Sequence, residues 1–190
     1  MPRAAWSAEL PIDRLDTPGG GALLLSGCPG KRQLGASAAA ARRYLADDVV
    51  AMKASGAVML ITLMESHELD MFGIPDIGAV AQRAGLSWRH LPVCDMEVPD
   101  ASFEHDWLTT GAEIHRCLDD GGSVLLHCLG GFGRTGTIAA RILVERGRRP
   151  ARAISEVRAA RPRSIQTKYQ ERYVYRFPQS LSNRPRQETP

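Results

Sequence analysis

The sequence has no long apolar run, no closely paired cysteines and no apolar leader segment. Its longest apolar stretch, residues 57–63, is far shorter than the ~20 residues of a membrane-spanning helix, so no membrane span and no membrane partner are expected. Without a C-x-x-C pair, neither a zinc site nor a disulfide framework is indicated. The polar N-terminal stretch and the unpaired thiols predict a cytoplasmic protein. Four cysteines are dispersed along the chain: Cys28, Cys94, Cys117 and Cys128.

The composition is that of an ordinary globular protein, since 44% of the 190 residues are hydrophobic and 24% are charged. We expect one folded domain over residues 1–177 and a polar, flexible tail over residues 178–190. The net charge of +3 is unevenly spread, because residues 134–176 hold twelve Lys and Arg against three Glu. Solvated helix faces explain this basic segment better than a nucleic-acid surface, because aromatic residues are absent from it before Tyr169. A role in recruiting some other anionic partner stays open.

Apolar runs of strand length alternate with helical spacing along the chain. Strands are predicted at residues 22–26, 57–63, 86–93 and 123–127. Helices are predicted at residues 37–55, 75–84, 103–118, 136–145, 151–160 and 166–177. This alternation predicts an α/β fold, with a central, largely parallel sheet of about four to five strands flanked by helices on both faces.

The segment H-C-L-G-G-F-G-R-T, residues 127–135, lies between a predicted buried strand and a helix start. The combination of His, Cys, three Gly and Arg at these spacings arises by chance in about one sequence in 100,000 of this composition. Glycines let the backbone turn so that successive N–H groups converge on one phosphate, and the helix N-terminus adds its positive dipole end. The predicted substrate-binding residues are Leu129, Gly130, Gly131, Phe132, Gly133 and Arg134.

The side chains of this loop have distinct expected roles. The amides, the helix dipole and Arg134 all favour a thiolate at Cys128, which is therefore the expected nucleophile. The planar guanidinium of Arg134 can hold two phosphate oxygens at once. Thr135 can donate a hydrogen bond to the Cys128 sulfur and help it leave. For His127, a supporting role in orienting the loop and a distinct titrating role both stay open.

This loop resembles the signature H-C-x5-R-[ST] of the cysteine-dependent protein-tyrosine and dual-specificity phosphatases. Within that superfamily, the chain is most similar to the kinase-associated phosphatase (cyclin-dependent kinase inhibitor 3) group. The shorter segments that carry this resemblance are Cys28-Pro-Gly30, Leu91-Pro-Val-Cys-Asp95, Val98-Pro-Asp100 and Ile165-Gln-Thr167. The resemblance implies a (phosphotyrosine protein phosphatase)-like fold and a thiophosphoryl-cysteine intermediate, without a metal or a cofactor.

The resemblance also assigns roles outside the loop. Asp95 matches the position of the general acid, with Asp100 as the reserve candidate, although an Asp in such a place can also be a turn former. Gln166 matches the residue that orients the hydrolytic water, and the alternative is a polar residue at a helix start. Glu65, after the strand at residues 57–63, is expected to brace the surroundings of the site.

The expected activity is hydrolysis of phosphotyrosine in proteins, with phosphoserine and phosphothreonine as further candidates. The apolar Leu129 and Phe132 in the loop disfavour a polyanionic inositol head group. A phosphatase of a small phosphorylated metabolite and a non-catalytic phosphopeptide-binding module are the two alternatives. A disulfide between Cys94 and Cys128 under oxidation is a further hypothesis.

Overall fold

The computed structural model describes residues 10–31 and 38–181, which form a five-stranded sheet with helices on its faces. The strands are β1 (Ile12–Asp16), β2 (Ala22–Ser26), β3 (Ala57–Thr62), β4 (Ser87–His90) and β5 (Ser123–His127). Their order in the sheet is β1-β2-β5-β3-β4, and only the β1–β2 pairing is antiparallel. The predicted α/β class and the largely parallel sheet are therefore confirmed.

Seven helices are present in the described residues. They are α1 (Ala38–Ala54), α2 (Ser66–Met71), α3 (Ile77–Arg83), α4 (Ala101–Asp119), α5 (Gly133–Glu145), α6 (Pro150–Ala160) and α7 (Lys168–Leu181). Helices α1 and α3 pack beside β3 and β4, whereas α5 packs on β2 and β5 and against α6 and α7. No helix in the described part of the chain is long and apolar enough to cross a membrane.

The central strands are the apolar runs of the sequence. Every residue of β2 and of β5 is buried, as expected for parallel strands that are covered on both faces. In the sheet register, Leu125 of β5 lies between Leu24 of β2 and Leu60 of β3. Because these three strands are parallel, their carboxyl ends meet at one edge, where Ser26, His127 and Thr62 are neighbours.

The structure adds two elements that the sequence analysis did not predict. Strand β1 is an edge strand with charged side chains, and only its Leu15 is buried, so it lacks an apolar run. Helix α2 has six residues, too few for a periodic apolar pattern, and begins with a capping box between Glu65 and Glu68 instead of the usual Ser or Thr.

Several predicted boundaries need correction, and one prediction is only partly covered. Helix α5 begins at Gly133, three residues before the predicted start, because the glycine-rich loop leads directly into the helix. Strand β4 ends at His90, three residues before the predicted end at residue 93. Helix α7 begins at Lys168, two residues after the predicted start, and continues to Leu181, beyond the predicted end at residue 177. Residue 37 of the first predicted helix and residues 182–190 of the predicted tail lie outside the described residues, and the division at residue 177 stays a prediction.

Candidate active site

The segment after β5 forms a loop at the middle of the sheet's carboxyl edge, the place where open parallel sheets present ligand sites. Cys128 directly follows β5 and is buried. The N–H of Gly131 donates a hydrogen bond to the Cys128 sulfur over 3.2 Å. The loop then enters the first turn of α5, so the positive end of that helix faces the same region. The sulfur thus accepts one backbone N–H and lies beside the start of α5.

Arg134, in the first turn of α5, is 1% exposed. Its guanidinium makes a bidentate ion pair with Glu68 of α2, with Nη1–Oε2 at 2.5 Å and Nη2–Oε1 at 2.9 Å. Nη1 also donates to the carbonyl of Val93 over 3.1 Å. Nε is buried and has no hydrogen-bond partner among the described residues. Glu68 therefore holds one edge of the guanidinium and leaves Nε for another acceptor.

The Arg134–Glu68 pair stabilises both charges. Burial works against ionisation of Glu68, but the hydrogen bonds from Arg134 and from the Glu65 backbone outweigh it, so the pKa of the carboxyl is lowered. For Arg134, burial is again the largest single influence and favours the neutral form. The bond to Glu68 and the nearby Cys128 and Asp95 outweigh it and raise the guanidinium pKa. The site therefore contains a permanent buried cation next to the predicted nucleophile.

Asp95 lies at the open side of this group. Its Oδ1 is 3.0 Å from Arg134 Nη2, and its side chain is 60% exposed. Asp95 belongs to a turn in which the N–H of Glu97 donates to the carbonyl of Cys94 over 3.1 Å, and Met96 in that turn has a φ of 62°. Asp95 thus lies in a turn and also contacts Arg134. The reserve candidate, Asp100, instead caps α4 by accepting the N–H of Phe103 over 2.9 Å.

The outer side of the loop is fixed by Gly131 and Arg161. Gly131 has a φ of 76°, and a Cβ there would lie 2.3 Å from the carbonyl oxygen of Ser26. Arg161, after α6, donates to the carbonyls of Gly131 over 2.7 Å and Gly130 over 3.3 Å, and pairs with Asp13 of β1 over 2.5 Å. These contacts hold the carbonyls of Gly130 and Gly131 on the side of the loop that faces Arg161.

Gln166 lies beside the start of α5. Its Oε1 is 2.8 Å from the place that a Cβ on Gly133 would occupy, and its side chain is exposed. The adjoining turn is held by Gln170, whose Oε1 accepts the N–H of Gln166 over 2.9 Å. Gln170 Nε2 donates to the carbonyl of Glu97 over 3.2 Å, which ties this turn to the loop that carries Asp95. The structure therefore brings Gln166 to the same site as the signature loop.

His127 and Thr135 are both fully buried. Burial lowers the pKa of His127 to about 3, so the ring is neutral at physiological pH. This favours the orienting role over the titrating one. Thr135 Oγ1 has no hydrogen-bond partner among the described residues, so its expected bond to the Cys128 sulfur is not formed in this structure.

Phe132 and Leu129 form the apolar part of the loop, and both are partly buried. Leu129 packs against the hydrophobic core. The ring of Phe132 has two guanidinium groups over it, that of Arg161 at 4.6 Å and that of Arg163 at 4.9 Å from the ring centroid. The loop therefore presents an aromatic ring bordered by positive charge.

Three residues of the site were not found from the sequence: Glu68, Arg161 and Gln170. Glu68 is 66 residues from Arg134 along the chain, and only the position of α2 brings the two together. Glu65 caps α2, and its N–H donates to Glu68 Oε2 over 2.8 Å, so it supports the carboxylate that binds Arg134. The local signal that pointed to Glu68 was Arg134 itself. An arginine between a buried strand and a helix start is expected to be buried, and a buried guanidinium requires a carboxylate partner.

The family-level comparison agrees with this geometry. A family model described as Tc-R-P, a polymorphic toxin system DSP-PTPase phosphatase, matches residues 34–148, which is more than half of the chain. The chain belongs to this family of dual-specificity and protein-tyrosine phosphatases, which confirms the family that the signature loop predicts.

Individual phosphatases are similar to this chain at 28% and 36% identity. Cyclin-dependent kinase inhibitor 3 from rat and from human are each 28% identical to this chain over 144 residues, which are 74% of this chain and 66% of the relative. Mouse protein tyrosine phosphatase domain-containing protein 1 is 36% identical over 115 residues, but these are 15% of that protein. The chain thus matches slightly less than two thirds of the length of the first two relatives.

Solved structures confirm the fold. Kinase-associated phosphatase with serine in place of its catalytic-site cysteine superposes with a TM-score of 0.80 at 24% identity, covering 94% of this chain and 99% of that one. Human DUSP28 superposes with a TM-score of 0.61 at 17% identity, covering 93% and 99%. The sheet and its helices are therefore those of the protein-tyrosine and dual-specificity phosphatases.

Proposed function

We propose that this chain hydrolyses phosphotyrosine in proteins, and phosphoserine or phosphothreonine as well, through a thiophosphoryl intermediate on Cys128. The observation that carries the proposal is the orientation of Arg134. Glu68 binds one edge of its guanidinium, and the buried Nε lacks a partner among the described residues, next to a sulfur that accepts a backbone N–H. A buried N–H without an acceptor costs about 1–3 kcal/mol, and a phosphate oxygen would relieve that cost.

In the first step, the Cys128 thiolate attacks phosphorus, so that an S–P bond forms while the ester P–O bond breaks. Asp95 gives its proton to the leaving oxygen, which departs as the tyrosine or serine hydroxyl. Arg134 and the loop amides hold the equatorial oxygens of the transferring group. The exposed side chain of Asp95, whose Oδ1 is 3.0 Å from Arg134 Nη2, supports this role.

In the second step, water attacks phosphorus, the S–P bond breaks and the sulfur leaves as thiolate. Asp95, now ionised, takes a proton from the water, and Gln166 orients that water from its place beside Gly133. Thr135 supports the departing sulfur by turning its buried hydroxyl, which has no partner among the described residues, toward it. Inorganic phosphate is the product, and no metal enters the scheme.

The substrate preference rests on the loop's apolar ring. Phe132 can pack beside an aromatic phosphoester, and the exposed Arg163 over that ring favours an anionic peptide. A cytoplasmic setting belongs to the proposal, because the nucleophile has to stay a free thiol and the cysteines of the described residues are all free.

Purified protein assayed with an aryl phosphate in the presence of EDTA tests the proposal. We expect vanadate-sensitive hydrolysis that Cys128→Ser lowers by a factor of about 10³ or more, because the nucleophile is lost. The matched control is Cys117→Ser on α4, which should keep the activity of the unmodified chain. Near-normal turnover by Cys128→Ser would disprove the mechanism.

A substrate panel then separates the alternatives. Phosphotyrosine, phosphothreonine and phosphoserine peptides are compared with sugar and nucleotide phosphates. The proposal expects the peptides to have the higher kcat/KM. A preference for the metabolites would replace the proposed substrate class, and phosphopeptide binding without phosphate release would identify a binding module.

A further inference from the structure

The sheet register places a polar pair next to the nucleophile. Thr62, the last residue of β3, is the register partner of His127, the last residue of β5. Partners in a parallel sheet direct their side chains to the same face. Both residues are fully buried, and Thr62 Oγ1 lies 2.8 Å from His127 Nε2. A hydroxyl is therefore bound directly to the ring that precedes Cys128.

A second ring nitrogen contacts the same hydroxyl. Trp88 of β4 donates its indole N–H to Thr62 Oγ1 over 2.9 Å. An indole N–H can only donate, so the threonine oxygen is an acceptor in this bond. The hydroxyl proton then needs an acceptor of its own, and the remaining hydrogen-bond partner of Oγ1 in the described residues is His127 Nε2. Were Nε2 protonated instead, that hydroxyl proton would be buried without an acceptor, at about 1–3 kcal/mol.

The hydrogen bonds from Trp88 to Thr62 and from Thr62 to His127 therefore determine which nitrogen of the imidazole carries the proton. Nε2 accepts from Thr62, so the single ring proton lies on Nδ1. Burial keeps the ring neutral, as its pKa of about 3 indicates. Nδ1 has no hydrogen bond of normal geometry among the described residues, but the Cys128 backbone acts on the ring as a hydrogen-bond acceptor, so a proton on Nδ1 has an acceptor whereas the Thr62 proton in the other tautomer has none. The charged or titratable groups that act on this ring are Arg134 from α5, His90 from β4 and Glu68 from α2.

The position of Trp88 is itself fixed by packing. A Cβ on Gly78 of α3 would lie 2.6 to 2.8 Å from three carbons of the indole, so only glycine lets the ring lie against this helix. On another side, the indole stacks with His90 at a centroid distance of 5.8 Å. The indole N–H is thus held toward Thr62 by elements that carry none of the proposed catalytic groups.

We propose that Thr62 and Trp88 are positioning residues that hold His127 in its Nδ1–H tautomer and so aim the ring proton at the backbone of Cys128. This donor at the first residue of the loop restrains the peptide that carries the nucleophile and favours the negative charge on its sulfur. The inference deepens the proposed function and rests on it.

Nitrogen-15 spectra of the histidine side chains test the tautomer without any substrate, with His127 assigned by the loss of its signals in His127→Asn. The unmodified chain should show a protonated Nδ1 and an unprotonated Nε2. Thr62→Val removes the hydroxyl at constant shape and Trp88→Phe removes the indole N–H, so both should give a mixture of tautomers. One unchanged tautomer in both variants would overturn the proposal.

Kinetics supply the second readout. Groups that fix the tautomer of a metal-ligating histidine are worth about 10–100-fold in affinity or activity. By analogy, Thr62→Val should lower kcat/KM for an aryl phosphate about tenfold and move the acid limb of its pH profile upward. Thr62→Ser should restore both. Thr110→Val, which removes another buried hydroxyl on α4, is the control and should change neither. Equal losses in Thr62→Val and Thr110→Val would reduce the effect to packing and refute the proposal.

These readouts also separate this inference from the proposed function. If the unmodified chain hydrolyses no phosphoester, the proposed function fails, while the spectra still decide the tautomer. If it is active and the spectra show a protonated Nε2, the inference alone is wrong.

Discussion

Arg134 has to remain charged in the protein interior and still offer donors to a ligand. Glu68 meets the first requirement with two hydrogen bonds, because a buried cation is tolerated when a well-aligned carboxylate pairs with it. The same bonds use Nη1 and one side of Nη2, so the guanidinium cannot rotate. Nε and the other side of Nη2 then face the loop and Asp95. At the scale of one residue, Glu68 fixes the orientation of the guanidinium that the proposed function uses to bind phosphate.

Replacing Glu68 with Gln tests this role. The amide keeps the shape but loses the charge and one acceptor, so Arg134 should shift from its position. A displacement of about 1 Å at a catalytic group can cost about 10²-fold, and we expect a fall of that order in kcat with an aryl phosphate. The control is Glu113→Gln, which weakens the similar bidentate pair with Arg89 at a distance from the loop and should leave kcat unchanged. Full activity in Glu68→Gln would show that Arg134 needs no such partner.

At the scale of elements, the site is the junction of β5, its loop and α5. The loop has to turn inside a narrow space at the end of β2, which the positive φ of Gly131 permits. Arg161 fastens the outer carbonyls of the loop and joins it to β1 through Asp13. Strand β1 therefore supports the loop through this ion pair, although its side chains are far from the nucleophile in sequence.

Two glycine substitutions separate backbone strain from steric exclusion. Gly131→Ala combines a positive φ with a Cβ placed 2.3 Å from Ser26 O, whereas Gly121→Ala has a φ of 80° with nothing within 4 Å. Both variants should lose about 1 kcal/mol of unfolding free energy from the backbone conformation. Only Gly131→Ala should also lose hydrolysis, by about 10²-fold, because the loop must shift to admit the methyl group. Equal activity in the two variants would contradict the account of the loop.

At the scale of the whole molecule, the sequence predicts features formed by neighbouring residues and misses contacts between residues that are far apart along the chain. Residues 127–135 carry the motif, the strand end and the helix start together, so Cys128 and Arg134 could be found from the sequence alone. Glu68 and Arg161 could not, because they reach the loop from distant elements. The apolar runs predicted four strands. Strand β1 could not be predicted in this way, because its sequence is mostly polar and has no apolar run.

The relation to other phosphatases is also a property of the whole fold. The sheet superposes closely on kinase-associated phosphatase at 24% identity, so a similar frame is built from largely different side chains. In this chain, β2, β5 and β3 end together at the carboxyl edge that carries the loop. Under the proposed function, side chains around that loop, such as Phe132 and the exposed Arg163, select the substrate.

Chemical quench of a turnover reaction, followed by peptide mass spectrometry, tests the central claim most directly. The variant to use is Gln166→Ala, in which hydrolysis of the intermediate should be slower than its formation. We predict a phosphoryl group on the peptide that contains Cys128, and its absence when Cys128→Ser is added. Release of phosphate with no phosphoryl group on the enzyme, or with the group on another residue, would contradict the account.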